Sequence, residues 1–363
     1  MTRRHRVLPA LTLLLGAALG YGLRDRVVHD QAPAAAPALA ADADPETLRH
    51  QLVETRSWLA RWLPEPAEPA QTEAPDYSAE RVFYDQYRLV DEALAKLRPQ
   101  TPGKTDLYVV AFAGDGDEDV FRNEAEYVEK LFSERFDARG RIVVLENNPA
   151  TVETRPLATW SNLELVLDGL LEKGRFDPDE DVLLLFLTSH GDAEHNLYVG
   201  MDVMPLDWIG AQDLAGILNA RPFRWRVAIV SACYSGGFLD VLRNSTSMVI
   251  TASRADRTSF GCGSDSDITF FGKAFFVEGL NQTDSFRGAF DVARQLVAEW
   301  EETEKQTPSE PQIASTPLIE TKLAQWRQGI RMGPPQPFQP AGAVPAAAKP
   351  ADAGPASEKS TKQ

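Results

Sequence analysis

Two short polar signatures carry residue types suited to thiol chemistry. Thr188-Ser189-His190-Gly191-Asp192 follows the apolar run Val182-Leu183-Leu184-Leu185-Phe186-Leu187, and Ser231-Ala232-Cys233-Tyr234-Ser235-Gly236-Gly237 follows Val227-Ala228-Ile229-Val230. A thiolate is the reactive form of cysteine, and a neighbouring imidazole can take the thiol proton and return it to a departing amine. In that chemistry Cys233 is the nucleophile and His190 the general acid/base. Gly191 lets a backbone N–H come close to a tetrahedral oxyanion, and the N–H of Cys233 itself supplies a second donor. On residue type alone, a buried free cysteine and a hydrogen-bonded histidine are the commoner outcome. Placement at the ends of two strands tips the balance towards chemistry.

The elements that must bring the two together are legible around them. Neither apolar run alternates, and both are bounded by polar residues, as strands of a parallel sheet covered on both faces should be. In such a sheet the ligand crevice lies beyond the carboxyl ends of the strands, where His190 and Cys233 fall. Further strands are expected at Leu107–Phe112, Ile142–Leu145 and Met248–Ala252. Helices are expected at Ser78–Leu97, Phe121–Phe136, Leu163–Leu171, Phe270–Val277, Phe286–Trp300 and Leu318–Trp326. In the first of these, Val82, Phe83, Tyr87, Val90, Leu94 and Leu97 are the expected core face. Strand and helix alternate as far as Val230, which points to an α/β domain with a mostly parallel sheet.

With their flanks, Thr188-Ser189-His190-Gly191 and Ser231-Ala232-Cys233-Tyr234-Ser235-Gly236-Gly237-Phe238 resemble the histidine and cysteine motifs of the C13 peptidases, the legumain-like asparaginyl endopeptidases. The likeness runs from about Asp106 to Trp326 and is to the bacterial branch of the family in particular. It implies a caspase-like three-layer α/β/α domain and a cysteine endopeptidase that acts through an acyl-enzyme. Phe121-Arg122-Asn123-Glu124-Ala125 is similar in position to the legumain segment whose arginine lines the pocket for the residue before the scissile bond. By that likeness Arg122 would favour Asn or Asp there, although a solvated helix arginine is as good a reading of the residue alone. Val120 stands where legumains carry an asparagine, and Ser231 stands in place of their pocket glutamate. Asp265 or Asp267 matches the second acidic pocket residue, and either could instead cap the next helix.

Other readings of the same residues remain in view. Asp115, Asp117, Asp119 and Glu126 match part of a calcium loop, but Val120 occupies the position that needs glycine and a strand precedes the loop. The better expectation is a polar loop feeding a helix N-terminus. His195, after Asp192-Ala193-Glu194, reads as an exposed loop residue. His190, His195, Cys233 and Cys262 lack zinc-ligand spacing, so neither a metal nor a cofactor is expected. Cys233 and Cys262 are the only two cysteines, and a disulfide between them would extinguish the nucleophile.

Arg3, Arg4 and Arg6 precede an apolar stretch, Val7 to Leu23. Residues 1–29 therefore read as a signal peptide or an uncleaved signal anchor, which places the protein in the periplasm, either released or tethered to the inner membrane by residues 7–23. Residues 30–77 form an Ala/Pro-rich linker with a short amphipathic stretch at Leu48–Leu63, residues 78–332 the peptidase-like domain, and residues 333–363 a disordered Pro/Ala-rich tail. A net charge of −16 argues against nucleic acid as a partner. The expected partner is a protein or peptide substrate. A transamidase or ligase using the same two residues, and an inactive caspase-like binding module, are the alternatives. Oligomeric state is not encoded in any of these patterns.

Overall fold

The chain divides into two units, Met1–Ala74 and Pro75–Gln363. The computed structural model describes residues 77–340 apart from 173 and 203, all within the second unit. The expected signal or anchor, the linker and the Leu48–Leu63 stretch thus lie outside the described residues, as does 341–363. Among the described residues no helix is long and apolar enough to cross a membrane.

The described chain forms a six-stranded sheet with two layers of helices. In chain order the strands are β1 (Leu107–Ala113), β2 (Ile142–Glu146), β3 (Val182–Thr188), β6 (Trp225–Ser231), β7 (Ser247–Thr251) and β8 (Gln312–Ala314), while β4 (Asn196–Leu197) and β5 (Ile209–Gly210) make a separate small hairpin. The sheet order is β2-β1-β3-β6-β7-β8. All neighbours run parallel except β8, which is antiparallel to β7.

The strands are apolar throughout because both faces are covered. Val182, Leu184 and Phe186 of β3 pack with Val227 and Ile229 of β6 under α2 (Asp119–Glu134), α7 (Phe286–Glu304), α8 (Pro317–Gln328) and α6 (residues 270–282). Helix α6 has a π-helical middle, Lys273–Gly279. Leu183, Leu185 and Leu187 pack with Ala228 and Val230 on the other face, under α1 (Ala79–Ala95), α3 (Trp160–Leu170), α4 (Ala211–Asn219) and α5 (Gly237–Leu242). Each large apolar side chain so covered contributes about 1.5–3 kcal/mol. Together the two cores hold β3 and β6 rigidly side by side. This is the expected three-layer α/β/α architecture with a mostly parallel sheet.

At three places the structure departs from, or adds to, what the sequence suggests. In α1 the packed face is Val82, Gln86, Leu89, Val90 and Leu94, whereas Phe83 and Tyr87 are 40% and 70% exposed. Gln86 takes the inward place because it is fully used: its amide donates to the Val82 carbonyl and its oxygen accepts from the Leu157 N–H and the Asn162 amide. Strand β8 has no apolar run to announce it, since its three residues are only half-buried and cover one edge of the sheet. The disordered tail does not begin at Gly333. The Gly333 N–H donates to the Arg135 carbonyl, the Tyr127 hydroxyl donates to the Gln336 carbonyl, and Phe338 packs edge-on against Tyr127.

At the amino ends of the strands, far from the two reactive residues, Arg141 and Asp106 form a buried ion pair at 2.8 Å. Asp106 also accepts from the Thr101 N–H. Truncation of one partner leaves the other charge buried and unpaired. Arg141→Ala is therefore expected to lower stability by about 3–5 kcal/mol in denaturant unfolding while leaving the alkylation rate of Cys233 in the folded protein unchanged.

Candidate active site

Strand register brings the two signatures together. Thr188 and Ser231 are the last residues of β3 and β6 and are direct partners in the parallel ladder. His190 and Cys233 each lie two residues further on. Gly191 packs so closely on the Cys233 carbonyl that a Cβ there would come within 2.3 Å of that oxygen. A side chain at this position is excluded by backbone, which does not move aside as a flexible neighbour could.

The turn after Cys233 is strained and braced. Tyr234 has φ +55°, in the left-handed region that non-glycine residues rarely adopt. Its N–H donates to the Arg257 carbonyl and its own carbonyl accepts from His195 Nδ1 at 3.1 Å. Behind it, the Ser235 N–H donates to Ser253 Oγ, the Ser253 N–H donates to Ser235 Oγ, and Ser253 Oγ donates to the Ala232 carbonyl. His195 is thus no exposed loop residue. Its ring lies so close to Gly237 that a Cβ there would be 2.1 Å away, and its Nδ1 is committed to the turn that presents the thiol.

The Cys233 thiol is half-buried. The Ser259 N–H approaches its sulfur at 3.2 Å, and Cys262 is the neighbour that acts most strongly on it. Cys262, opposed by burial and assisted by Ser259 and by the charge of His190, holds the Cys233 thiol below the ordinary cysteine range. Cys262 is pushed the other way, by the neighbouring Cys233 and then by burial. Both cysteines are free.

Two carboxylates stand on the far side of His190. Its Nε2 is 3.1 Å from Glu118 Oε2 and 3.5 Å from Asp115 Oδ2, and its ring stacks edge-on with Phe121 at 5.1 Å. An Nε2–H donated to Glu118 leaves Nδ1 as the basic nitrogen. Burial pushes the Asp115 carboxyl up, while the Asp117 N–H and His190 oppose that shift. The carboxylates of the supposed calcium loop are thus otherwise engaged, with Asp115 accepting from the Asp117 N–H and Asp119 from the Asn148 amide. Asp115, Glu118 and His190 each offer one ligand atom within 4.8 Å of the others, the spacing that one cation would need. A cation there would take the Nε2 lone pair that otherwise carries the proton.

Beside His190 opens a cleft of about 310 Å³ lined by Asp115, Asp117, Glu118, Asp192, Tyr198 and Trp208. The β4–β5 hairpin supplies its aromatic wall, with Trp208 47% exposed. Glu118, Cys262 and Ser259 are site residues that sequence reasoning did not assign. The one available signal was that the loop after β1 must lie beside the end of β3.

None of the four substrate-pocket candidates lines the cleft at His190. Arg122 donates to Glu126 and Asn148 and lies 3.8 Å from Asp119. Asn148 follows β2, three strand positions from β6, or roughly 14 Å at the usual strand spacing. Ser231 is 2% exposed, with its hydroxyl turned to Glu124 and Thr269. Asp265 and Asp267 are exposed. Asp267 borders a separate groove with Lys273 and Trp300, and Thr269 takes the N-cap of α6.

Residues 173–321 match the peptidase C13 family. No curated protein sequence matches the chain. Among solved structures, caspase-1 from Spodoptera frugiperda aligns over 60% of this chain and 93% of its own, at 13% identity and a TM-score of 0.41. A structure of pro-sf-caspase-1 aligns over 59% and 92%, at 14% identity and a TM-score of 0.39.

If Cys262 lowers the thiol, Cys262→Ala should raise the midpoint of Cys233 alkylation against pH by on the order of one pH unit. Iodoacetamide labelling read on the Cys233 peptide by mass spectrometry checks this, and an unchanged midpoint would remove Cys262 from the site.

Proposed function

With residues 173–321 matching the peptidase C13 family, we propose that this protein is a cysteine endopeptidase whose nucleophile is Cys233 and whose general acid/base is His190. The observation that carries the reading is the placement of both residues two positions beyond partnered strand ends, with Gly191 against the Cys233 backbone. The Cys233 thiolate adds to the scissile carbonyl carbon, and the oxyanion so formed lies towards the Gly191 and Cys233 N–H groups. Collapse breaks the C–N bond as His190 protonates the leaving amine. His190 then takes a proton from water, whose oxygen attacks the thioester, releasing the carboxylate and returning the thiol. Glu118 and Asp115 stabilise the imidazolium that forms between these steps and hold its ring orientation.

The preference for Asn or Asp before the scissile bond loses its support from Arg122, which is held by Glu126 and Asn148. Four carboxylates line the cleft at His190. Wherever substrate crosses that cleft, neutral or cationic side chains suit it and acidic ones are repelled. Residues 7–23, after three arginines, deliver the protein across the inner membrane in this reading.

The decisive measurement incubates the full-length protein and its Cys233→Ala twin with a peptide library and reads the bonds cut by mass spectrometry. Cleavage that disappears in the twin is expected, with Asp and Glu depleted near the cut. Products joined to an added amine instead of water would make the enzyme a transamidase. Absence of any Cys233-dependent product would overturn the enzymatic reading in favour of a binding module.

A further inference from the structure

Beneath the two reactive residues sits a fully buried carboxylate that the reaction steps above do not use. Glu124, in the second turn of α2, is 0% exposed. Its Oε2 accepts from Thr188 Oγ1 at 2.6 Å, and its Oε1 accepts from Thr269 Oγ1 at 3.0 Å and from Ser231 Oγ at 3.4 Å. The cage is closed on its last side by Gly272, where a Cβ would lie 1.7 Å from Oε1.

We propose that Glu124 is a positioning residue for the Cys233–His190 pair, bracketing the ends of the two strands that carry them and the loop that activates the thiol. The proposal rests on the reading of Cys233 and His190 given above. Thr188 and Ser231 are register partners, each two residues before a reactive side chain. Thr269 closes the segment that contains Ser259 and Cys262, and it caps α6 through the Gly272 N–H at 2.9 Å. One side chain therefore ties three separate chain segments at the points where each turns into the site.

The chemistry requires a carboxylate here. Three hydroxyl protons converge on two oxygens, and a carboxylate can accept all of them. An amide offers one acceptor oxygen and turns an NH2 group towards the remaining hydroxyls. The 2.6 Å contact has the length of a charge-assisted O–H···O⁻ bond. The arrangement is expensive, because burial pushes the Glu124 carboxyl up to about 7 against the pull of the three hydroxyls. An apolar residue would fill this space without that penalty. Satisfied buried networks specify one geometry where apolar packing tolerates several.

The test uses the full-length chain and the pH midpoint of Cys233 alkylation by iodoacetamide, read on the Cys233 peptide, with folding followed by thermal unfolding. By electrostatics alone, replacing the buried carboxyl with an amide would lower the midpoint in so far as Glu124 is ionised, and would not raise it. Loss of alignment with His190 and Cys262 raises it towards the ordinary thiol value of about 8.5. The two causes thus differ in sign. In folded Glu124→Gln the midpoint is expected to rise by about one pH unit. Thr188→Val and Ser231→Ala should each give part of that rise, and Thr188→Val should add little on top of Glu124→Gln.

A folded Glu124→Gln with an unchanged or lowered midpoint overturns the bracket. Should Glu124→Gln fail to fold, wild-type midpoints in both Thr188→Val and Ser231→Ala overturn it equally. His190→Ala separates this failure from that of the parent reading. If the wild-type midpoint matches both His190→Ala and the denatured chain, no activated pair exists to be positioned, and both readings fall.

Discussion

The site depends above all on the in-register parallel pairing of β3 with β6. Parallel neighbours point the same way, so residues equally far past two partnered positions emerge at the same end and the same height. Thr188 opposite Ser231 sets that height, and His190 and Cys233 follow from it. A slip of one residue would turn every side chain of β6 to the other face and exchange the two cores for each other's contents. Because Val227 and Ile229 belong to one core and Ala228 and Val230 to the other, such a slip is strongly disfavoured. Hydrophobic burial on two faces thereby fixes the separation of a thiol and an imidazole that lie beyond the strand ends.

Around this frame the polar groups divide the work. The Ser235–Ser253 exchange and the His195–Tyr234 bond hold the strained turn that presents Cys233. Strain at Tyr234 persists because the surroundings over-determine it: its N–H and carbonyl are both committed, and Gly237 leaves room for the histidine ring. On the other side, Glu118 and Asp115 face one nitrogen of His190, and that contact decides which nitrogen is left basic. The Ser259 N–H, at 3.2 Å from the sulfur, and the neighbouring Cys262 act on the thiol from the opposite side. The helices contribute apolar mass on both faces of the sheet, and α2 also contributes Glu124 at its centre.

The carboxylates also give the site its character. Asp115, Asp117, Glu118 and Asp192 line one cleft, and Arg122, the cation expected in the substrate pocket, is drawn to Asp119, Glu126 and Asn148. The helical turn explains the difference. Positions 119, 122 and 126 share one face of α2, towards β2, whereas Phe121 and Glu124 face β3 and β6. An arginine in the right motif position can thus serve a different neighbourhood when its helix supplies acids at three and four residues' distance.

By itself the sequence determined the five parallel strands and the candidate pair His190 and Cys233 at the ends of two of them. An unbroken apolar run can be satisfied only by burial on both faces, and the polar residues after such a run must emerge at the carboxyl edge. Those are local properties, written into contiguous residues. Only the tertiary structure decided which groups meet the reactive pair. Glu118, 72 residues before His190, and Cys262, 29 after Cys233, reach the site through loops whose polar composition carries no periodicity. The same holds for the inward Gln86, the committed His195, the edge strand β8 and the diverted Arg122. In each case the outcome turned on a hydrogen-bond or ion-pair partner distant in sequence, and a partner of that kind exists only once the sheet has brought the segments together.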